Sequence, residues 1–174
     1  SSRNSEVIHS GIYYPKNSLK SKLCIRGNKL IYEYCNKNKI NFIKSGKLII
    51  ANNAKDYSEL MKLKKNAKDL KIPHSILTST EIRKLEPMIN AKNAIYIEST
   101  GVIDSHSFMK SMYDSLNTLE STIVFRTEVN KIFRLSNGYK LRIKNPDRSY
   151  SEISANVVIN CSGLNSDKTS ALLN

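Results

Sequence analysis

Apolar positions along this chain repeat with two different periods, and the period changes several times. From Ser18 to about Asn38, Leu19, Leu23, Leu30, Ile31 and Tyr34 recur at helical spacing, which marks one buried helical face. Ser18 stands where an N-cap is needed, so a long helix is predicted there with those five residues turned inward. Gly27 interrupts it, at a cost of about 1 kcal/mol against Ala unless close packing needs the space. NFIKSGKLIIAN then reads as a strand or a short hairpin around Ser45 and Gly46. DYSELMKLKKNAKDLKI returns to helical spacing, with Leu60, Leu63, Ala67 and Leu70 on one stripe, Asp56 as cap and Pro73 as stop.

Beyond Pro73 the elements shorten. Residues 74–78 predict a strand, and Ser79 and Thr80 open a helix of one or two turns before Pro87. NAIYIES alternates as a strand, TGVID turns, and Asp104 or Ser105 caps a helix to about Leu119. TIVFRTEVNKIFRL and YKLRIK flank Asn137 and Gly138, a strong hairpin signal. SYSEISANVVINCSG is a further strand run. Its VVIN centre is continuously apolar, which predicts a strand buried on both faces, as in a parallel sheet. LNSDKTSALL predicts a helix after it. Helices and strands interleave, but the strands after residue 93 pair locally. The fold class is therefore α/β with mixed α+β character, and no repeat or low-complexity linker divides the 174 residues.

Composition adds mostly exclusions. Hydrophobic residues make up 40% and charged residues 25%, an ordinary globular balance. The apolar runs KLIIAN and NVVIN are too short to cross a bilayer. The net charge of +13 raises a nucleic-acid or anionic-membrane partner. The lysines are spread along the chain with few aromatics among them, however, so no stacking platform for single strands is formed. Cys24, Cys35 and Cys161 make an odd count with no CxxC pair. That argues against a zinc site or disulfide framework and for a reducing compartment. His9, His74 and His106 are too dispersed for a metal site.

Two stretches can carry chemistry. ANVVINCSGLNSD combines a buried strand, a small-residue turn at Cys161, Ser162 and Gly163, and a helix start. It reads either as an anion site on free backbone N–H groups or as an ordinary strand-to-helix turn. SSRNSEVIHSG is rich in hydroxyl, amide and guanidinium donors, fit either to cradle a phosphate or carboxylate or to be a solvated loop. His9, between Ile8 and Ile12, is either a satisfied core histidine or an acid–base group.

Taken together, SSRNSEVIHSGIYYPKNSLKSKLC, LIYEYC and SGKLIIA resemble the L-2-hydroxyglutarate dehydrogenases, within the D-amino-acid-oxidase-like FAD oxidoreductases. TGVIDSHSFM is similar to that family's mid-domain turn and helix, and VVINCSGLNSDKTS to its second flavin-contacting strand–turn–helix. The likeness runs over 1–174, and its first stretch is the most specific.

The resemblance implies part of an FAD-binding Rossmann-like domain plus a substrate domain with a mixed or antiparallel sheet. It implies a flavin-contacting loop and long helix over 1–45, a substrate-domain portion over 46–120, and a return to the FAD domain over 121–174. The family's GxGxxG unit and its C-terminal part are not found here, so an internal portion of a roughly twice-longer enzyme is expected. The implied reaction is oxidation of L-2-hydroxyglutarate to 2-oxoglutarate, with FAD as cofactor and a quinone or oxygen taking the electrons. His9 is the implied catalytic group. Ser1, Ser2, Arg3, Val129, Cys161, Ser162 and Gly163 are implied to hold the cofactor, and Arg3, Tyr13 and Tyr14 the substrate. The expected setting is cytoplasmic or peripheral to a membrane, mitochondrial in a eukaryote, without a nucleic-acid partner. A related enzyme of glycerol 3-phosphate or an amino acid, and a non-catalytic basic binding module, are the alternatives.

Overall fold

The structure is a computed structural model and describes residues 4–119 and 121–173. The chain divides into two compact units, Ser1–Leu119 and Glu120–Asn174. In the first, β1 (Val7–Ile8) leads to α1 (Leu19–Asn38), β2 (Phe42–Ile43), β3 (Leu48–Ala51) and α2 (Ala54–Asp69). Then come β4 (Ser75–Thr78), α3 (Ser79–Leu85), β5 (Asn93–Tyr96), β6 (Gly101–Ile103) and α4 (Ser105–Thr118). Two three-stranded antiparallel sheets result, in the orders β1-β6-β2 and β3-β5-β4.

The helix starts follow from side-chain acceptors that satisfy orphan N–H groups. Ser18 accepts from the Ser21 N–H at 3.1 Å. Thr78 and Glu81 form a reciprocal capping box, and Asp104 accepts from the Ser107 N–H at 2.9 Å. The cap of α2 is Asn53, not Asp56. The Asn53 side chain accepts from the Asp56 N–H at 2.9 Å and donates to the Asp56 carboxylate at 2.8 Å.

Helix α2 lays Leu60 and Ala67 on the β3-β5-β4 sheet, closing a core with Ile12, Ala51, Ile72, Ile95 and Ile97. Each leucine or isoleucine among them, removed from water, contributes about 1.5–3 kcal/mol. Helix α1 closes a second core, in which Tyr32 and Cys35 meet Ile8, Ile40 and Ile103. Its inward face differs from the expected one. Ser21, Tyr32 and Cys35 are buried, while Leu19, Leu23 and Leu30 are exposed. The helix carries two stripes, and the more polar one wins inside this unit because Asn28 and Tyr32 serve backbone carbonyls there. A Cβ at Gly27 would meet nothing within 4 Å.

In the second unit, β7 (Glu128–Leu135), β8 (Gly138–Lys144) and β9 (Tyr150–Ala155) form an antiparallel meander. The hairpin loop is Ser136 and Asn137, one residue earlier than the Asn-Gly pair suggested, because Leu135 pairs with Gly138. A short 3-10 turn (Gly163–Asn165) and α5 (Ser166–Ser170) follow. The VVIN run is not a buried strand. Residues 156–162 lie outside regular structure, with Val157 72% and Ile159 80% exposed. A strand buried on both faces needs ladder partners for its N–H and C=O groups, and β9 has already ended at Ala155.

Candidate functional site

The site in the first unit is built by a ladder end. Ile8 pairs with Gly101 across the β1–β6 step, so antiparallel register carries His9 and Thr100 out of the sheet at the same end. The glycine at 101 is required by close approach, since a Cβ there would collide with the Tyr32 hydroxyl and the Ile43 carbonyl. Two asparagine amides then fix the loop that follows. The Asn28 amide, from α1, donates to the His9 carbonyl at 3.1 Å and the Ser99 carbonyl at 2.8 Å. The Asn66 amide, from α2, donates to the carbonyls of Ile12 at 2.7 Å and Tyr14 at 2.9 Å. Each amide uses both of its N–H bonds, so the backbone of residues 9–14 is held from both helices. The Cys24 thiol reaches the His9 carbonyl at 3.5 Å. Burial pushes its pKa up, which keeps it a neutral S–H donor.

His9, Ser10, Gly11, Tyr13, Tyr14, Lys47 and Thr100 surround a cavity of about 10 Å³. That is room for a single oxygen-sized group. The His9 side chain is exposed, so it is not a core histidine in this unit. The Lys47 ammonium lies 4.6 Å from the Tyr13 ring centroid, a cation–π contact. The lining holds a cation, an imidazole and three hydroxyl groups besides Ser10, and no carboxylate. Such a donor set fits an anionic or carbonyl-bearing ligand. Thr100 is 5% exposed, and its Oγ1 is buried without a hydrogen-bond partner. A larger cleft of about 590 Å³ touches Lys29, Lys44 and Lys71 and shares Ser10. Its lysines are exposed, and Asn28 and Tyr32 on its wall already have partners, so it offers no comparable unmet donor.

In the second unit, Cys161, Ser162 and Gly163 lie together in an exposed turn. Asn160 organises it, donating to the Ser166 carbonyl at 2.7 Å and accepting from the Ser162 hydroxyl at 2.6 Å. The Ser162 oxygen also lies 2.7 Å from the Thr169 hydroxyl, from which it can accept. Gly163 has φ of +60°, a left-handed conformation that glycine enters without strain. Val129 is half-buried on β7, opposite Ile143 and beside a bulge.

The sequence-expected residues thus fall into three groups. His9, Tyr13 and Tyr14 share one cavity, Cys161 to Gly163 share one turn, and Val129 stands on the meander. Ser1, Ser2 and Arg3 lie outside the described residues. Lys47 and Thr100 were missed, as were the two asparagine clamps. The signal for Thr100 was the TG pair opening TGVID, which had to be matched in register with IHSG.

Three kinds of likeness bear on this geometry. The profile of the FAD dependent oxidoreductase family (DAO) matches residues 1–174. The mitochondrial L-2-hydroxyglutarate dehydrogenase of Dictyostelium discoideum is 45% identical over 114 residues, covering 64% of this chain and 26% of that protein. The corresponding Bos taurus protein is 33% identical over 177 residues, covering 97% of this chain and 38% of its own length. Among solved structures, the FAD-bound L-alpha-glycerophosphate oxidase of Mycoplasma pneumoniae superposes with a TM-score of 0.87 at 26% identity, over 98% of this chain and 46% of that one. Glycine oxidase of Geobacillus kaustophilus shares the fold with a TM-score of 0.84 at 17% identity, over 99% of this chain and 47% of that one. The chain spans well under half the length of these curated relatives. With the family profile matched end to end, this chain belongs to the DAO family of FAD-dependent oxidoreductases.

Proposed function

We propose that this chain is part of an L-2-hydroxyglutarate dehydrogenase that oxidises the C2 hydroxyl to a ketone, giving 2-oxoglutarate. The observation that carries the reading is the exposed His9 beside a cavity whose lining bears Lys47 and no carboxylate. The names of the relatives at 33–45% identity support the substrate. The reaction takes a hydride from C2 and a proton from the hydroxyl. His9 accepts that proton and returns it to solvent from its exposed position. Lys47 offsets the charge of a dicarboxylate. Tyr13 and Tyr14 line its path, and Arg3 is assigned to a substrate carboxylate or cofactor phosphate. FAD, when bound, supplies the two-electron acceptor, and a quinone or oxygen receives the electrons in turn.

The donor set fits such a cofactor, because hydroxyl, imidazole and ammonium groups all complement carbonyl and phosphate oxygens. Ser1, Ser2, Val129, Cys161, Ser162 and Gly163 are the further residues we assign to it. The flavin domain is assigned residues 1–45 and 121–174, and the substrate domain 46–120. The exposed apolar side chains Leu19, Leu23 and Leu30 of the first unit, and separately Val157 and Ile159 of the second, are then each flavin-domain packing positions. Relatives named as mitochondrial support that location in a eukaryote; peripheral contact at a membrane is the further part of the proposal. No helix among the described residues is long and apolar enough to cross one.

The 26% identity to a glycerophosphate oxidase keeps glycerol 3-phosphate as the second reading. The test is anaerobic bleaching of the flavin in the full-length protein. L-2-hydroxyglutarate bleaches it under this reading, whereas the D-isomer, glycerol 3-phosphate and glycine do not. Bleaching by glycerol 3-phosphate alone would replace the reading with the second one.

A further inference from the structure

Thr100 is held in place twice over by its backbone. Its carbonyl accepts from the Gly46 N–H at 3.0 Å, and its N–H donates to the Ile97 carbonyl at 3.5 Å. Its branched side chain is stiff at χ1, so the hydroxyl has a defined direction. Yet Oγ1 is buried with no partner, in a residue that lines the His9 cavity. An unpartnered buried hydroxyl is costly, and valine would fill the same volume without that cost. The cavity has room for one oxygen-sized group. Its other walls offer Lys47, His9 and two tyrosines, so the group that completes it carries negative charge or a carbonyl dipole.

We propose that the Thr100 hydroxyl donates a hydrogen bond to an acceptor oxygen of the group bound beside His9. Two sources present that chemistry, a substrate carboxylate and a carbonyl of the flavin ring. The substrate source rests on the function proposed above. The flavin source requires only the family.

Thr100→Val and Thr100→Ser in the full-length, flavin-loaded protein test it with three readouts. These are KM against kcat, the flavin-to-protein ratio with the flavin absorbance band, and the thermal shift produced by glutarate as a non-reacting dicarboxylate probe. If the oxygen belongs to the substrate, Thr100→Val raises KM for L-2-hydroxyglutarate by about tenfold or more. It also abolishes the glutarate shift, leaves the flavin band and ratio unchanged, and is rescued by Thr100→Ser. If the oxygen belongs to the flavin, Thr100→Val moves the band or lowers the ratio, and the glutarate shift persists. A Thr100→Val protein that keeps KM, flavin properties and glutarate shift, with equal or higher melting temperature, overturns the proposal, because the hydroxyl then holds only a water or nothing. A wild-type protein inert to L-2-hydroxyglutarate but active on glycerol 3-phosphate defeats the proposed function instead. Thr100 is then judged by KM for that substrate and by the flavin readouts.

Discussion

His9 and Thr100 stand one step beyond the Ile8–Gly101 pair of the β1–β6 ladder, and both line the same small cavity. They are 91 positions apart in sequence, yet their juxtaposition is a matter of backbone register. A one-residue slip would turn each side chain to the other face. Any change that loosens this ladder end therefore acts on the site without touching its chemistry.

Asn28 is the clearest such position. Its amide bridges the His9 and Ser99 carbonyls, so Asn28→Ala removes one donor from each and leaves them only the Cys24 thiol at 3.5 Å and the Tyr32 hydroxyl at 3.1 Å. The expected cost is about 1–3 kcal/mol, seen as a lower denaturation midpoint with an unchanged denaturant slope. Turnover should fall as well, because the residue bearing the imidazole is no longer tied to the 99–100 segment.

Gly163 needs its freedom for a backbone reason. It sits at φ +60°, and a Cβ there would meet nothing within 4 Å. Steric crowding inside this chain thus gives no reason for the glycine, and the left-handed conformation does. Gly163→Asn should be tolerated within about 1 kcal/mol, since Asn visits that region readily, while Gly163→Val should cost about 1–2 kcal/mol. If the turn holds the cofactor as proposed, the valine protein also shows a lower flavin-to-protein ratio at unchanged far-UV dichroism.

The cysteines should separate by reactivity. Cys161 is exposed, Cys24 is half-buried and Cys35 is buried. Burial pushes both the Cys24 and the Cys35 thiols up, so their reactive thiolate is scarce at neutral pH. Timed alkylation with mass mapping should label Cys161 first and Cys35 last. Raising the pH should speed Cys24 before it exposes Cys35. Prompt labelling of Cys35 in native protein would contradict the packing of α1 on β1 and β6.

Much of the first unit was legible because its signals are local. Ser18, Thr78 and Asp104 cap helices by contacts within three residues, and the Leu60–Ala67 spacing names the buried face of α2. Nonlocal features were not legible. The run at 157–159 is apolar enough for a buried strand, but strand formation depends on neighbours that hydrophobicity does not specify. Helix α1 carries two candidate stripes, and the choice between them is made by Asn28 and Tyr32 hydrogen-bonding to the loops at 9 and 99. The IHSG stretch pointed to His9 but left core and acid–base roles open, and its exposure removes the core role within this unit. Thr100 gave no signal by itself, since an unmet hydroxyl is a property of the folded site.

The most direct test of the account is the rate of flavin reduction by L-2-hydroxyglutarate in a single turnover, comparing His9→Ala with wild type in the full-length protein. A positioned proton acceptor contributes about 10²–10⁴-fold, and His9 is exposed. The reduction rate should therefore fall by that factor, with flavin content and melting temperature unchanged. A rate within a few-fold of wild type would contradict the assignment of His9 as the group that takes the hydroxyl proton.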